Sequence, residues 1–567
     1  MNRREWLENG IMGLIGLVVL VMPFCYQLRM QSGIFRFDIY LWWIAGLFAW
    51  LYFFWSGKTV SKLFLEAISP FLLFVFIGAI IWKSDDGSTS FFITCFTGLG
   101  VYLFLVQTGA KISRLIWMAV VSVFIQQTLA LHQSLVGYTV TAYFYNSGHW
   151  GNFLAMMLPV VLLQLRKCRN YSFLQFLLGI LLLVTVGFLL QSMARAAIVG
   201  VVAGIVFLIG RKLRNGWMPW LYTVGLLLLG YTTWLICFTK SASLLGRITV
   251  YRVCIEIWKD HWLAGIGPNR FAAIYNHYQA DVLSMIKLPV EREILATNMV
   301  EAFNLPLQFL VEYGLAGCTL FAWMLLKWLR LLNKKEPEYP ASFLVLLTAS
   351  LFSNPFHVTP VSFVLLLLLA ASTKPAVVVI KRTKWPGKLI SAFQLILLLP
   401  YIVMQIIGER YWKKASEQAL YEGFMIAQPT YKKAAKWLSY RGSFLFNYGA
   451  EACIAGKSEL AIQLLEASAQ KLASNQLYVY LGDAYSNLGR NKEAEQAYLV
   501  AIAMVPAAIF PKYQLIRFYT SIGNVNAACI WSRQVLGYPV KIASPAARQL
   551  LKELRQLSTR IAIYCSG

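Results

Sequence analysis

Between Lys240 and Asn304 the chain gathers four arginines (Arg247, Arg252, Arg270, Arg292), two histidines (His261, His277) and the turn Gly265-Ile266-Gly267-Pro268. A guanidinium offers a planar fork that matches phosphate oxygens two at a time. Arg247 and Arg252 stand five apart on a stretch with helix-like periodicity, Ile248 to Trp258. With Arg270, and with Arg195 in the motif QSMARAAIVG, they form a candidate clamp for a pyrophosphate. Arg195 opens an apolar run, and a charge there is costly unless it is paired or faces water. No Asp-x-Asp occurs in these polar stretches, so a bound divalent metal is not expected, and no other cofactor is implied. A carboxylate or histidine can take the proton of an attacking hydroxyl, which makes Glu301 and His149 candidate bases. Asn304 and Glu312 are spaced by two helical turns, on one side of a helix. The glycines Gly265 and Gly267 read first as a helix stop after Trp258 and Trp262.

The elements that must position these residues are greasy. The 567 residues are 58% hydrophobic, with a mean hydropathy of +0.59, above the usual composition of soluble domains. Apolar runs predict thirteen spans near 11–27, 38–55, 64–82, 91–107, 114–134, 150–165, 172–190, 194–210, 217–238, 306–329, 341–354, 359–379 and 389–407, the run 341–354 being short for a bilayer. The net charge of +26 sits largely in short alternate loops, around Lys58, Lys111, Arg166, Arg211, Arg330 and Lys381. That is the positive-inside pattern rather than a nucleic-acid footprint. It places the N-terminus in the cytoplasm and puts 240–304, the five histidines and everything after 407 on the outer side. The first apolar run lacks a small-residue cleavage site and reads as a retained span. The cysteines show no metal-ligand spacing, and a pairing of Cys453 with Cys529 in the soluble tail is open to the sequence but not shown by it.

From about 408 the chain turns soluble and periodic. Gly456, Gly489 and Gly523 recur at a near-constant interval, followed in step by Ala461, Ala494 and Ala528. The interval is that of a tetratricopeptide repeat, a helix–turn–helix unit. The unit Leu481 to Pro506 places small and aromatic residues (Gly482, Tyr485, Ala494, Tyr498, Ala501, Pro506) where such a repeat needs them. Helix pairs of this kind stack into a solenoid with a concave face that suits a protein partner or braces a neighbour. The fold class is therefore all-α: a polytopic membrane protein of about 12–13 transmembrane helices followed by a helical solenoid.

At these residues the chain resembles the O-antigen ligase and polymerase superfamily with a Wzy-C type core, most closely from Asn146 to Gly317. The matching features are Asn146-Ser147-Gly148 with Asn152; Ala194-Arg195-Ala196-Ala197; Arg247 and Tyr251 with Asp260 to Gly267; and Asn304, Glu312 and Gly314. Phe303 stands where many members carry a histidine. The resemblance implies a GT-C-like domain over 1–407 with a large external loop, 240–304, and a periplasmic tetratricopeptide-repeat domain over 408–567. It implies a bacterial inner-membrane glycosyltransferase of polysaccharide or lipopolysaccharide biosynthesis that works without metal. The donor would be an undecaprenyl-pyrophosphate-linked glycan, held by Arg195, Arg247, Arg252 and Arg270. The acceptor would be lipid A core, a glycan (polymerase) or a protein (oligosaccharyltransferase). Asn146, Asn152, Gly265, Gly267, Asn304 and Glu312 take positioning roles, and Glu301, His149 or His277 stands in for the histidine. A lipid-linked glycan transporter and a non-catalytic scaffold are the readings from other classes.

Overall fold

The computed structural model describes residues 3–56, 59–81, 86–211, 230, 241–285, 289–332, 335–374, 377–379, 386–538 and 545–562. Among them the architecture is all-α, because a chain in hydrocarbon must satisfy its backbone within each segment. The membrane bundle comprises α1 (Arg3–Ser32), α2 (Phe37–Trp55), α3 (Lys62–Ile81), α4 (Asp86–Thr108), α5 (Ile112–Val136), α6 (Ser147–Lys167), α7 (Ser172–Gln191) and α8 (Arg195–Gly210). A polar segment follows with α9 (Ser241–Asp260) and α10 (Phe271–Met285), and the chain returns to the bundle in α11 (Leu305–Leu329), α12 (Glu338–Ala349) and α13 (Thr359–Ala371). The only strands among the described residues are two-residue pieces, β1 (Thr59–Val60) and β2 (Val378–Val379), paired antiparallel.

Twelve of the thirteen expected spans coincide with helices, 359–379 only as far as Ala371, and 217–238 lies, apart from Gly230, outside the described residues. Seven helices among the described residues are long and apolar enough to cross a membrane alone. The short α12 and α13 reach only about 18–20 Å at 1.5 Å per residue, well under the roughly 30 Å hydrocarbon layer. They are largely buried between longer helices, so packing against protein replaces length.

The two ends of the bundle differ. At one, Lys111 pairs with Glu8 at 2.6 Å, Arg166 with Glu338 at 2.7 Å, and Lys167 with Glu336. The other gathers the α1–α2 turn, the starts of α6 and α8, the described parts of 241–304 and the α12–α13 turn. These are the alternate loops that the charge pattern separates.

One long helix, α14 (Pro386–Tyr421), leaves this second end and carries the chain into a stack of shorter helices. These are α15 (Phe424–Leu438), α16 (Gly442–Ile454), α17 (Ser458–Ala469), α18 (Asn475–Asn487), α19 (Asn491–Met504), α20 (Ile509–Ser521), α21 (Val525–Gly537) and α22 (Pro545–Ala562). Gly456, Gly489 and Gly523 close successive hairpins at φ of 72°, 71° and 74°, a region open to glycine at little cost. Ala461, Ala494 and Ala528 are fully buried where the paired helices cross. Where α14 meets the stack, Glu409 is buried and accepts from Arg36 Nε and from Arg441 at 2.7 Å each, and from the Arg36 backbone N–H at 3.1 Å. Cys453 is a free thiol. Cys529 is disulfide-bonded, so the pairing of those two that the sequence allows does not form.

The stack also grips the polar segment. The Asn276 side chain of α10 donates to the Ala473 carbonyl at 2.6 Å, and Gln279 donates to the Met504 carbonyl at 2.6 Å. On their other sides Asn276 accepts from Met299 N–H at 3.1 Å and Gln279 donates to Thr297 O at 3.2 Å. Asn298 donates to Asn475 at 2.6 Å. The run 297–299 is thus held by α10, and α10 by the stack.

Candidate functional site

Partly exposed polar side chains, His357 and Glu301 among them, converge at the second end of the bundle from chain segments far apart in sequence, and the ground between them is called the recess. Asn304 caps α11, accepting from Leu307 N–H at 2.9 Å, and its amide donates to the Leu351 carbonyl at 3.0 Å. Leu305 N–H reaches Ser350 O at 2.9 Å. These bonds fix 301–305 against the α12–α13 turn. The Asn354 amide then donates to Glu301 Oε2 at 3.2 Å and to Gln308 Oε1 at 2.8 Å. His357 places Nδ1 3.6 Å from the same Glu301 oxygen. From α1, Tyr26 OH lies 3.1 Å from His149 Nδ1 at the start of α6. Farther along α1, Arg29 is 3.1 Å from Asp38 and 3.5 Å from Thr359 Oγ1. Arg29 and His149 are near enough to act electrostatically on His357, and Glu301 on Tyr26.

The surroundings set protonation. His357 is crowded by protein on all sides, yet its side chain remains 41% accessible, as on the floor of an open recess. Burial first, then Arg29 and His149, push its pKa down to about 4. His357 is therefore neutral near pH 7, with a lone pair to offer. Burial raises Glu301, and the hydrogen bond from Asn354 opposes that rise. A neutral imidazole 3.6 Å from a carboxyl group is the equipment of a general base.

Arg247 stands over this floor. Its guanidinium donates to Phe352 O at 3.0 Å and lies 5.8 Å from the Phe303 ring centre, within cation–π range. Arg195 begins α8, half-buried, after Met193. A Cβ on Gly151 would come within 2.2 Å of Ala194 Cβ, so the first turns of α6 and the entry to α8 are in contact, and Arg195 rises beside His149's helix. Asn146 caps α6 by accepting from Gly148 N–H at 2.7 Å. Asn152, one turn past His149, is buried with an Oδ1 that accepts no hydrogen bond. Ala142, Met193, Asn269 and Phe303 are the non-glycine residues with left-handed backbone among those described. Each precedes a helix that enters at this end, and strain of this kind concentrates at functional sites.

Gly265 and Gly267 do more than end a helix. At Gly314 (φ 61°, ψ −169°) α11 breaks, and the freed backbone groups are taken by the turn. Ile266 and Gly267 N–H donate to Val311 O and Glu312 O at 3.0 and 2.9 Å; Leu315 and Ala316 N–H donate to Trp262 O and Leu263 O at 2.8 and 2.9 Å. The backbones touch, since a Cβ on Gly265 or on Gly314 would lie 2.4 Å from the facing carbonyl oxygen. Glu312 is buried and accepts from Asn269 N–H at 2.9 Å and from Gln308 at 3.1 Å. It ties the entry of α10 to α11 and does not face the recess as a base. We predict that Gly314→Ala lowers the melting temperature in detergent by many degrees: its backbone region is essentially glycine-only, and the methyl has no room. A melting curve matching wild type would show that the interlock does not form.

Three of the expected residues lie elsewhere. His277 packs edge-on against Tyr478 of the stack, ring centres 5.7 Å apart, so it belongs to that interface rather than to the recess. Arg270 folds back on the turn, donating to Ile266 O at 3.1 Å. Arg252 is exposed on the outer face of α9. Sequence reasoning missed Tyr26, Arg29, Asn354 and His357. Their one signal was that every histidine falls at this end of the spans.

The chain was also compared with known proteins. No curated protein matches it. Residues 145–322, which hold His149, Arg195, Arg247, Glu301 and the Gly265–Gly314 interlock, match the family model described as Wzy_C: O-Antigen ligase, and this match over less than half of the chain supports the O-antigen ligase family and an activity of membrane glycosyltransferase type.

Proposed function

We propose that this chain transfers a glycan from an undecaprenyl-pyrophosphate donor to an acceptor hydroxyl on the periplasmic face of a bacterial inner membrane. The observation that carries the reading is the convergence of Glu301–His357, Tyr26–His149 and Arg29 in one recess under Arg247. In this reading His357 Nε2 takes the proton of the acceptor hydroxyl, and the Glu301 carboxylate, 3.6 Å from Nδ1, offsets the charge the ring gains. The hydroxyl oxygen attacks the anomeric carbon, the bond from that carbon to the phosphate oxygen breaks, and the pyrophosphate leaves with the electron pair. Arg195 and Arg247 stabilise the charge that develops on it. Attack from the face opposite the leaving group inverts the anomeric centre. The disulfide at Cys529 supports an oxidising, external location for the helical stack, and the stack is read as tetratricopeptide-type repeats over 408–567.

The experiment follows release of undecaprenyl pyrophosphate from a lipid-linked glycan by purified full-length protein, offering lipid A core, glycan and protein acceptors in turn. Arg247→Ala and Arg195→Ala are each expected to lower acceptor-dependent release by about 10²–10³. Release that needs one acceptor class names it; folded protein that binds donor but releases nothing with any acceptor overturns the transferase reading in favour of a transporter or scaffold.

A further inference from the structure

A groove on the opposite side of α1 from the recess is left unexplained. It encloses about 740 Å³ between α1, α2 and α14. Its walls are apolar, with Val21, Phe37, Leu41, Ile44 and Ile406 among them. From Phe37 to Ile44 the trough follows α2 for about 10 Å. Leu17, Phe24, Phe37, Val403 and Ile407 around it are exposed, so this side of the bundle faces lipid. At its upper end α14 changes character over about two turns, from Ile406 and Ile407 to Arg410, Lys413 and Lys414. All three cations are exposed. Among the described residues Arg410 and Lys414 have no hydrogen-bonding or ionic partner, and Lys413 meets only Glu417, at 3.9 Å. Glu409, one residue before Arg410, is buried and already bonded to Arg36 and Arg441.

We propose that this groove binds an anionic glycerophospholipid, with an acyl chain in the trough and the phosphate on Arg410, Lys413 and Lys414. A free anion would not need the trough, and a neutral lipid would not need the cations. A lipid-linked sugar donor is disfavoured by position. Cys25 lines the groove while Tyr26 and Arg29 line the recess, so α1 stands between a phosphate seated here and Glu301. Basic pockets between membrane helices are known to select anionic headgroups over zwitterionic ones. Ordinary snorkelling of Lys and Arg to any headgroup is the competing account, and the test is designed to separate the two.

Full-length protein in detergent is titrated with phosphatidylglycerol, phosphatidylcholine and undecaprenyl phosphate, and bound lipid is counted by native mass spectrometry. Wild type is expected to bind phosphatidylglycerol at least tenfold more tightly than phosphatidylcholine. The variant Arg410→Gln/Lys413→Gln/Lys414→Gln is expected to lose that preference, roughly a tenfold to hundredfold weakening. A charge-matched control on the stack, Lys432→Gln/Lys433→Gln/Lys492→Gln, is expected to keep it. Equal weakening in the control would mean adhesion by net charge and would overturn the site. So would equal binding of the two phospholipids by wild type. Tighter binding of undecaprenyl phosphate through the same three residues would replace the phospholipid with a polyprenyl occupant.

Discussion

Replacing His357 by Ala, or Glu301 by Gln, is expected to slow acceptor-dependent pyrophosphate release by about 10²–10⁴, the range for loss of a positioned general base, while donor binding changes little. A variant of either residue that turns over within threefold of wild type would remove the pair from the chemistry and leave His149 as the base. The pH dependence has a defined sign. His357 titrates near 6.5 when unfolded and about 4 when folded. Between those values the unfolded chain binds the extra proton, so this group makes stability fall as pH drops through that window and contributes nothing further above 6.5. As a base it stays neutral from pH 8 down through 6, so over that span the rate should not show a histidine-like decline. His357→Asn should flatten the acid-side slope of stability between pH 6.5 and 4; an unchanged slope would assign that slope to other groups.

The second large effect is expected at Glu409. Taken whole, a buried ion cluster adds little net stability, but removing one partner strands the others. Glu409→Gln leaves the buried Arg36 and Arg441 without their shared carboxylate, at a cost of about 3–5 kcal/mol. Arg36 belongs to the α1–α2 turn and Arg441 to the entry of α16, so the loss is felt at the junction of bundle and stack. Limited proteolysis should then cut between α14 and α16 in the variant at a protease dose that leaves wild type intact. A digestion pattern and melting temperature equal to wild type would mean that the cluster does not hold the junction.

Periodicity made the helices legible. Apolar runs located most membrane helices, and the spacing of Gly456, Gly489 and Gly523 located the hairpin turns of the stack. Charge at the loops separated the two ends. Arg195, Arg247, Glu301 and His149 could be nominated because polar groups beside long apolar runs are conspicuous. Asn354 and His357 were not, since the site is assembled by convergence of helix ends. Glu301 meets a histidine that follows two intervening helices, α11 and α12, and it lies near a tyrosine on α1; no local pattern encodes such meetings. Arg29 went unnoticed because its partners, Asp38 and Thr359, lie across turns. Glu312 was expected in a positioning role, and its partner, the backbone at Asn269, becomes visible only once α11 is seen to break at Gly314. His277 looked reactive because its aromatic neighbour, Tyr478, lies far down the chain, on the other side of the last membrane helices.

The hold of the stack on α10 has a temporal side. The carbonyls of Ala473 and Met504 that receive Asn276 and Gln279 are made long after the 297–304 run that those side chains support. At 5–20 residues per second, the roughly 200 residues from Phe303 to Met504 take about 10–40 s to synthesise. During that interval the bundle can insert and pack, while the run leading to Glu301 still lacks its outer support. The last piece of the recess to settle is therefore set by the C-terminal half of the chain, and a polypeptide that stops short of α19 leaves the membrane part with an unfinished, silent site.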